Sequence, residues 1–444
     1  MKKIAFGFMI AALAMTACIA PKPPATATPT VPTATATFTA TATPLSPTPT
    51  PVPTATPIPP SPTPTPTPVP PDTAELSAQL MAALYPAGVP AAGDTSASVQ
   101  GVEVVPLKVA AGSQPLWAAF SVGRNGYLPE EPKHFVAIFS HNSDGWQQLA
   151  SLELTDPDYL GDRSFQQVFV EPEHIWLQME GGAGAHSGIF DLIMFDGQSL
   201  SLKLSGFSAG ARAGQTVDLD GDGVLEVVLD ATDYYVFCYA CNVRLPMFQV
   251  YRWNGSELIA VELTALGEDA PANLRDANNR MVALAQAWLW KDALSAMDAV
   301  QAIGSDDETV AWNVRLVKLN TDSLTEEIGV SSYPLLAYIF FGDYDGALDM
   351  MRQYPAEKLF SAQSPLVADT PAEGWESTLR DWIFQATDLA LSEEPNLAAA
   401  HFLRGWAAFI SDGETDEVRA EIAQVVSLAP DEPLFKSAQQ FLGE

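Results

Sequence analysis

Basic side chains are scarce in this sequence, and no acidic one occurs before Asp72. Lys2, Lys3 and Lys22 take three of the 22 lysines and arginines, so the rest of the chain sets 19 bases against 54 acids, a net charge of −35. Such a field repels nucleic acid and anionic lipid headgroups and gathers cations, which excludes nucleic acid as a partner. Cysteine is nearly absent, with three in the chain, and only five histidines occur. No catalytic triad, metal-hydrolase motif, phosphate loop or carboxylate pair at acid–base spacing is legible, so the sequence reads as non-catalytic. The apolar run Ile4 to Met15 is too short to span a bilayer.

That run follows Lys2 and Lys3 and has the length and order of a secretory signal, covering residues 1–17. It ends in Met15-Thr16-Ala17-Cys18, which resembles the lipobox of bacterial lipoproteins, with Met15 where leucine is usual. The resemblance implies that Cys18 becomes a lipidated N-terminus, held at the extracytoplasmic face of a bilayer by its acyl chains. Residues 21–71 contain 19 prolines and 16 threonines, with Lys22 as the only charge. Such a segment buries no core and favours polyproline II, so residues 18–71 read as a stalk. Fully extended at about 3.1 Å per residue it would reach roughly 150 Å.

The leading segment Thr73 to Leu84 is predicted as a short helix with Leu76, Leu80 and Leu84 on one face. From Val99 to about Leu266, short apolar runs and turns rich in Gly, Asn and Asp predict an antiparallel β-domain, with boundaries at 72 and 268. Three hairpins repeat one pattern. His134–Phe139 leads through Asp144-Gly145 to Leu149–Leu154, Phe190–Phe195 through Asp196-Gly197 to Leu200–Leu204, and Phe248–Trp253 through Asn254-Gly255 to Leu258–Leu263. Each is preceded by one further strand, starting at Leu116, Ile175 and Glu226. The hairpin glycines are 52 and 58 residues apart, the size of a propeller blade. Three units are too few for a closed ring, so the expectation is an open or compact domain of blade-like units.

Asp218-Leu-Asp220-Gly-Asp222-Gly-Val224-Leu-Glu226 is the most informative stretch. Alternate aspartates on a glycine-bearing turn suit a hard cation that takes six to eight oxygens. The loop is similar to the calcium loops of FG-GAP/VCBS repeats, which implies a structural Ca²⁺ held by the side chains of Asp218, Asp220, Asp222 and Glu226 and the carbonyl of Val224. It is no EF-hand, because Leu229 stands at the twelfth place. The expected position is the opening of the third unit.

Cys238-Tyr-Ala-Cys241 reads as a disulfide outside the cytoplasm, provided that Tyr239 and Ala240 turn, since an extended strand would hold the Cα atoms about 10 Å apart. Zinc or redox use are the alternatives; zinc needs further ligands, and His186 is the only histidine in a corresponding loop. Gly206-Phe-Ser208-Ala-Gly210 fits G-x-S-x-G, but the residues that follow predict no helix to make a nucleophile elbow. The glycine-rich stretch from Glu180 to Gly188, with His186 and Ser187, reads as an inter-strand loop that could touch a ligand.

From Pro271 the period becomes helical, with Met281, Leu284, Ala285 and Trp288 on one face and a return helix from Lys291 to Ile303. Tyr338-Ile-Phe-Phe-Gly342-Asp-Tyr-Asp-Gly-Ala347-Leu348, and Ala400–Phe409 with its turn at Gly413, resemble tetratricopeptide-repeat hairpins. Arg404 stands where that repeat has leucine. The resemblance covers roughly Met281 to Glu444 of a helical domain at 271–444, and it implies a concave surface for a peptide or protein segment. The six tryptophans from Trp288 to Trp406 read as core and seam. Together these features predict a lipid-anchored, non-catalytic interaction or scaffold module. The alternatives are an extracytoplasmic hydrolase and a glycan- or solute-binding lipoprotein.

Overall fold

The structure is a computed structural model that describes residues 71–86, 88, 100–125 and 131–443; the leader, Cys18 and the stalk lie outside the described residues. Among the described residues, twelve strands form three consecutive four-stranded antiparallel meanders. The first holds β1 (Gly101–Pro106), β2 (Leu116–Arg124), β3 (His134–Asn142) and β4 (Gly145–Leu154). The second holds β5 (Tyr159–Val168), β6 (Ile175–Ala183), β7 (Ser187–Phe195) and β8 (Leu200–Ser208). The third holds β9 (Gly214–Val217), β10 (Glu226–Asp230), β11 (Phe248–Trp253) and β12 (Leu258–Val261). Gly123 and Arg124 of β2 pair with Leu160 and Tyr159 of β5, which merges the first two meanders into one eight-stranded sheet. Among the described residues no strand pairing closes the meanders into a ring.

The expected hairpins are β3–β4, β7–β8 and β11–β12, and the strands expected before them are β2, β6 and β10. The sequence reading missed the first strand of each meander. β1 and β9 are short, and β5 is interrupted by an irregularity between Leu160 and Phe165, so none shows a clean two-residue period.

Each meander buries apolar side chains on both faces. A helix α1 (Thr73–Leu84) covers one face of the first with Leu76, against Val102, Ala119, Ala137 and Phe139. The opposite face, with Phe120, Val136 and Ile138, packs on Leu177, Met179 and Ile193 of the second. The far side of the second, with Trp176, Phe190 and Leu192, packs on Val227 and Leu229 of the third. The last face, with Val228, Phe248 and Val250, meets Trp312 and Leu316 of α4 (Glu308–Val330). Two-sided burial explains why β7 is buried along nearly its whole length instead of alternating.

Between β12 and α4 run α2 (Ala272–Gln286) and α3 (Trp290–Ile303). After α4 come α5 (Pro334–Phe340), α6 (Tyr344–Met351), the short α7 (Ala356–Leu359), α8 (Glu376–Glu393), α9 (Ala398–Asp412), α10 (Asp416–Leu428) and α11 (Pro433–Phe441). Met281, Leu284 and Ala285 are buried as expected, whereas Trp288 lies past the end of α2 with φ 58° and is half-buried. Gly342 turns α5 into α6 at φ 73°, and a Cβ there would stand 2.5 Å from the Trp288 carbonyl oxygen. Asp343 then caps α6 through the Gly346 amide. Arg404, where the repeat has leucine, instead lays its guanidinium 4.3 Å from the Phe384 ring centre and pairs with Glu421 at 3.0 Å and with Asp388.

The composition boundary near residue 270 does not divide the core. Residues 231–247, between β10 and β11, send Val236, Phe237, Val243 and Leu245 into the same buried cluster as the helices. The Trp382 indole donates to the Val236 carbonyl at 3.0 Å, and the Arg244 guanidinium meets Glu327 of α4 at 2.9 Å, where Glu327 is only 4 % exposed. At the exit of β12, Asn313 both accepts from the Thr264 amide (2.8 Å) and donates to its carbonyl (2.7 Å). The described residues from Thr73 onward fall in one compact unit. Two outcomes follow. A fragment of residues 271–444 lacks four core side chains, so calorimetry should find no cooperative transition; a sharp one would refute the shared core. Arg244→Met leaves Glu327 buried without its counter-charge, and denaturant titration should read a loss of about 3 kcal/mol.

Candidate functional site

The acidic loop joins β9 to β10, closing on the Val217↔Glu226 pair. It therefore lies inside the third meander and does not open it, because β9 precedes it. Gly221 and Gly223 take φ of 82° and 88°, which lets the backbone fold back under the three aspartates. Asp218, Asp220 and Asp222 each present one carboxylate oxygen, and these oxygens lie within 4.8 Å of one another. Two oxygens on one calcium at roughly 2.4 Å can be at most about twice that far apart, so the spacing suits one ion. An all-carboxylate set with no thiolate or imidazole suits a hard cation.

The loop orders its own carboxylates. Asp218 accepts from the Gly221 amide at 2.6 Å and the Gly223 amide at 3.1 Å, Asp220 from Asp222 at 3.2 Å, and Asp222 from Val224 at 2.7 Å. Val224 thus enters the loop network through its N–H. Glu226 is not one of the converging oxygens; it is buried and accepts from the Leu219 amide at 2.8 Å. Burial, and then the three aspartates, push its carboxyl up to about 7, although the Leu219 amide opposes the shift. The Leu219 carbonyl in turn accepts from Arg315 of α4 at 3.2 Å, which ties the loop to the helices.

Glu171, Glu173 and His174 form a second cluster, between β5 and β6. Here Glu171 accepts from the Glu173 and His174 amides (2.6 and 3.0 Å), the Trp176 indole (2.8 Å) and the His174 ring (2.6 Å). Burial raises its carboxyl, but these donors outweigh burial and hold it below the usual range. The group caps a turn.

Cys238 and Cys241 are joined across a 3₁₀ turn at Tyr239–Cys241, with Cα atoms 5.1 Å apart and the Cys241 amide donating to the Cys238 carbonyl at 3.0 Å. Among the described residues no histidine or carboxylate converges with the two sulfurs, and no α-helix starts at Cys238, so the zinc and redox geometries are not assembled. His186 instead stacks on the Tyr239 ring, centroids 3.9 Å apart, and its Nδ1 donates to the Ala209 carbonyl at 2.9 Å.

Ser208 ends β8 and is buried. Its hydroxyl donates to Asp230 and accepts from the Gly210 amide at 2.9 Å, while the Tyr234 hydroxyl donates to the same carboxylate at 3.0 Å. No helix follows. The flanking glycines serve packing: a Cβ at Gly206 would meet Leu229 at 2.8 Å, and one at Gly210 would strike the Tyr234 ring.

Asp191 was not singled out from sequence, although an acid inside Phe190–Phe195 is a visible anomaly. It is 2 % exposed, and its Oδ1 has no partner. Burial pushes its carboxyl from 3.8 up to about 6, a hydrogen bond from Ser205 opposes this, and Asp156 adds to it. Comparison with models of protein families and with curated proteins finds no match to this chain.

Because the folded state favours protonated Asp191, stability is greatest below the unfolded pKa and falls as pH rises through about 6. Two pH units correspond to up to ~3 kcal/mol at pH 7. Asp191→Asn should therefore stabilise the protein at pH 7.5, with the gain shrinking towards pH 4 in a chemical-denaturation series. A gain independent of pH would contradict this assignment.

Proposed function

We infer that the protein is a non-catalytic lipoprotein, anchored to a membrane through acylated Cys18 and displayed on its stalk at the extracytoplasmic face, where it acts as a protein-interaction or scaffold module. The observation that carries this reading is the run of consecutive helix pairs, α2–α3, α5–α6 and α9–α10, on one buried core that also takes in segment 231–247. In this reading the helical pairs are tetratricopeptide-like, with Gly342, Tyr344 and Ala347 at a repeat turn, and a peptide or protein segment lies on their exposed face. The meanders are blade-like units in an open arc. A structural Ca²⁺ sits among Asp218, Asp220 and Asp222, bracing the β9–β10 loop against α4 through Leu219 and Arg315. The hydrolase alternative is weakened by Ser208, whose hydroxyl is buried against Asp230.

Saturating calcium should raise the melting temperature by several degrees, since ligand at 100 times its Kd stabilises by about 2.7 kcal/mol. Asp220→Ala should abolish that shift; an unchanged melt of the parent protein would remove the ion from the account. Full-length protein should fractionate with membranes and Cys18→Ala should not. Chemical crosslinking on intact envelopes should trap a stoichiometric partner through the helical surface, whereas turnover of a peptide, ester or glycan substrate by the purified protein would overturn the non-catalytic reading.

A further inference from the structure

Tyr159, Tyr235 and Tyr239 are 44, 54 and 38 % exposed, and all three gather around the β6–β7 hairpin. The Tyr235 and Tyr239 ring centres are 5.8 Å apart, Tyr239 stacks on His186, and His186 faces Tyr159 as another wall of a cleft of about 450 Å³. That size is within the range of ligand pockets, roughly 300–1,000 Å³. The rings are fixed before any ligand arrives. Tyr239 is clamped between the bonded Cys238 and Cys241, and His186 is tied to the Ala209 carbonyl.

The other walls are polar and of both signs. Asp162, Arg163 and Glu180 line the cleft, and Arg212 stands 3.9 Å from Glu180. Planar carboxylate and guanidinium groups beside exposed rings match one ligand chemistry. A sugar ring offers a face of weakly positive C–H groups to the negative face of an aromatic ring, and an edge of paired hydroxyls to bidentate polar side chains. The charge of the body disfavours polyanions, and the mixed signs in the cleft require no net charge on the ligand. We propose that this cleft binds a neutral saccharide chain, with Tyr159 and His186 as its ring platforms, Tyr239 holding the His186 ring in place from behind, and Arg163 and Glu180 as hydroxyl partners. The site is separate from the helical surface and stands or falls independently of the scaffold reading.

The test is affinity electrophoresis of the full-length protein in a polyoxyethylene detergent, which carries no sugar. Native gels contain laminarin, glucomannan, dextran or hydroxyethyl cellulose, with polygalacturonate and heparin as anionic comparisons. At least one neutral polysaccharide should retard the protein, and the anionic ones should not. Calorimetric titration with the hexasaccharide of the retarding polymer should then show at least tenfold weaker binding for Tyr159→Ala and for Tyr239→Ala. Tyr239→Phe, which keeps the ring, and Phe207→Ala, an exposed aromatic on β8, should bind as the parent does. Equal melting temperatures for the variants establish that the loss is local. No retardation by any neutral polymer, retardation that survives in the Tyr159→Ala/Tyr239→Ala double variant, or stronger retardation by the polyanions would each overturn the site.

Discussion

A four-stranded sheet with apolar side chains on both faces must be covered twice, and this requirement organises the whole body. The three meanders cover one another in sequence: Phe120 and Ile138 meet Leu177 and Met179, and Trp176 and Phe190 meet Val227 and Leu229. A closed ring would satisfy the end faces with each other. Here α1 covers one end with Leu76 and α4 covers the other with Trp312 and Leu316. The number of meanders is thereby freed from the four or more that a ring typically needs.

The cap at the second end does more than cover apolar surface. α4 also receives the Arg244–Glu327 ion pair, the Asn313–Thr264 hydrogen bonds and the Arg315–Leu219 contact. The guanidinium groups of Arg252 and Arg315 lie 5.6 and 5.1 Å from the Trp312 ring centre. Segment 231–247 completes the joint by crossing from the sheet into the helical core, and the Cys238–Cys241 turn occupies its middle. The acidic loop thus touches the same helix on which the two halves are fastened, so a cation there would brace a seam.

Several residues that carry chemistry elsewhere hold structure in this protein. Ser208 and Asp230 knit β8 to β10, Glu171 caps a turn, and His186 props Tyr239. Asp191 is the exception, a carboxyl buried with one oxygen unpartnered. Its burial opposes ionisation in a chain already rich in negative charge, so the second meander is held less tightly at neutral pH than its apolar contacts alone would allow.

Local signals determined the elements. Asp-Gly and Asn-Gly marked the three hairpins because glycine at positive φ and a side-chain acceptor for the turn amides are short-range needs. The alternate aspartates with Gly221 and Gly223 marked the β9–β10 loop for the same reason, and period marked α1, α2 and α3. The first strands of the meanders were hidden because their burial is irregular, and the period carried α2 two residues too far, to Trp288, because amphipathic period does not register a left-handed residue at a helix end. What tertiary structure alone decided is which faces meet. The sequence by itself determined strands, turns, helices and an acidic loop; contacts between residues far apart in the chain determined that Val236 and Phe237 belong to the helical core, that Tyr159 and His186 line one cleft, and that Leu219 faces Arg315, since no periodicity records a partner a hundred residues away.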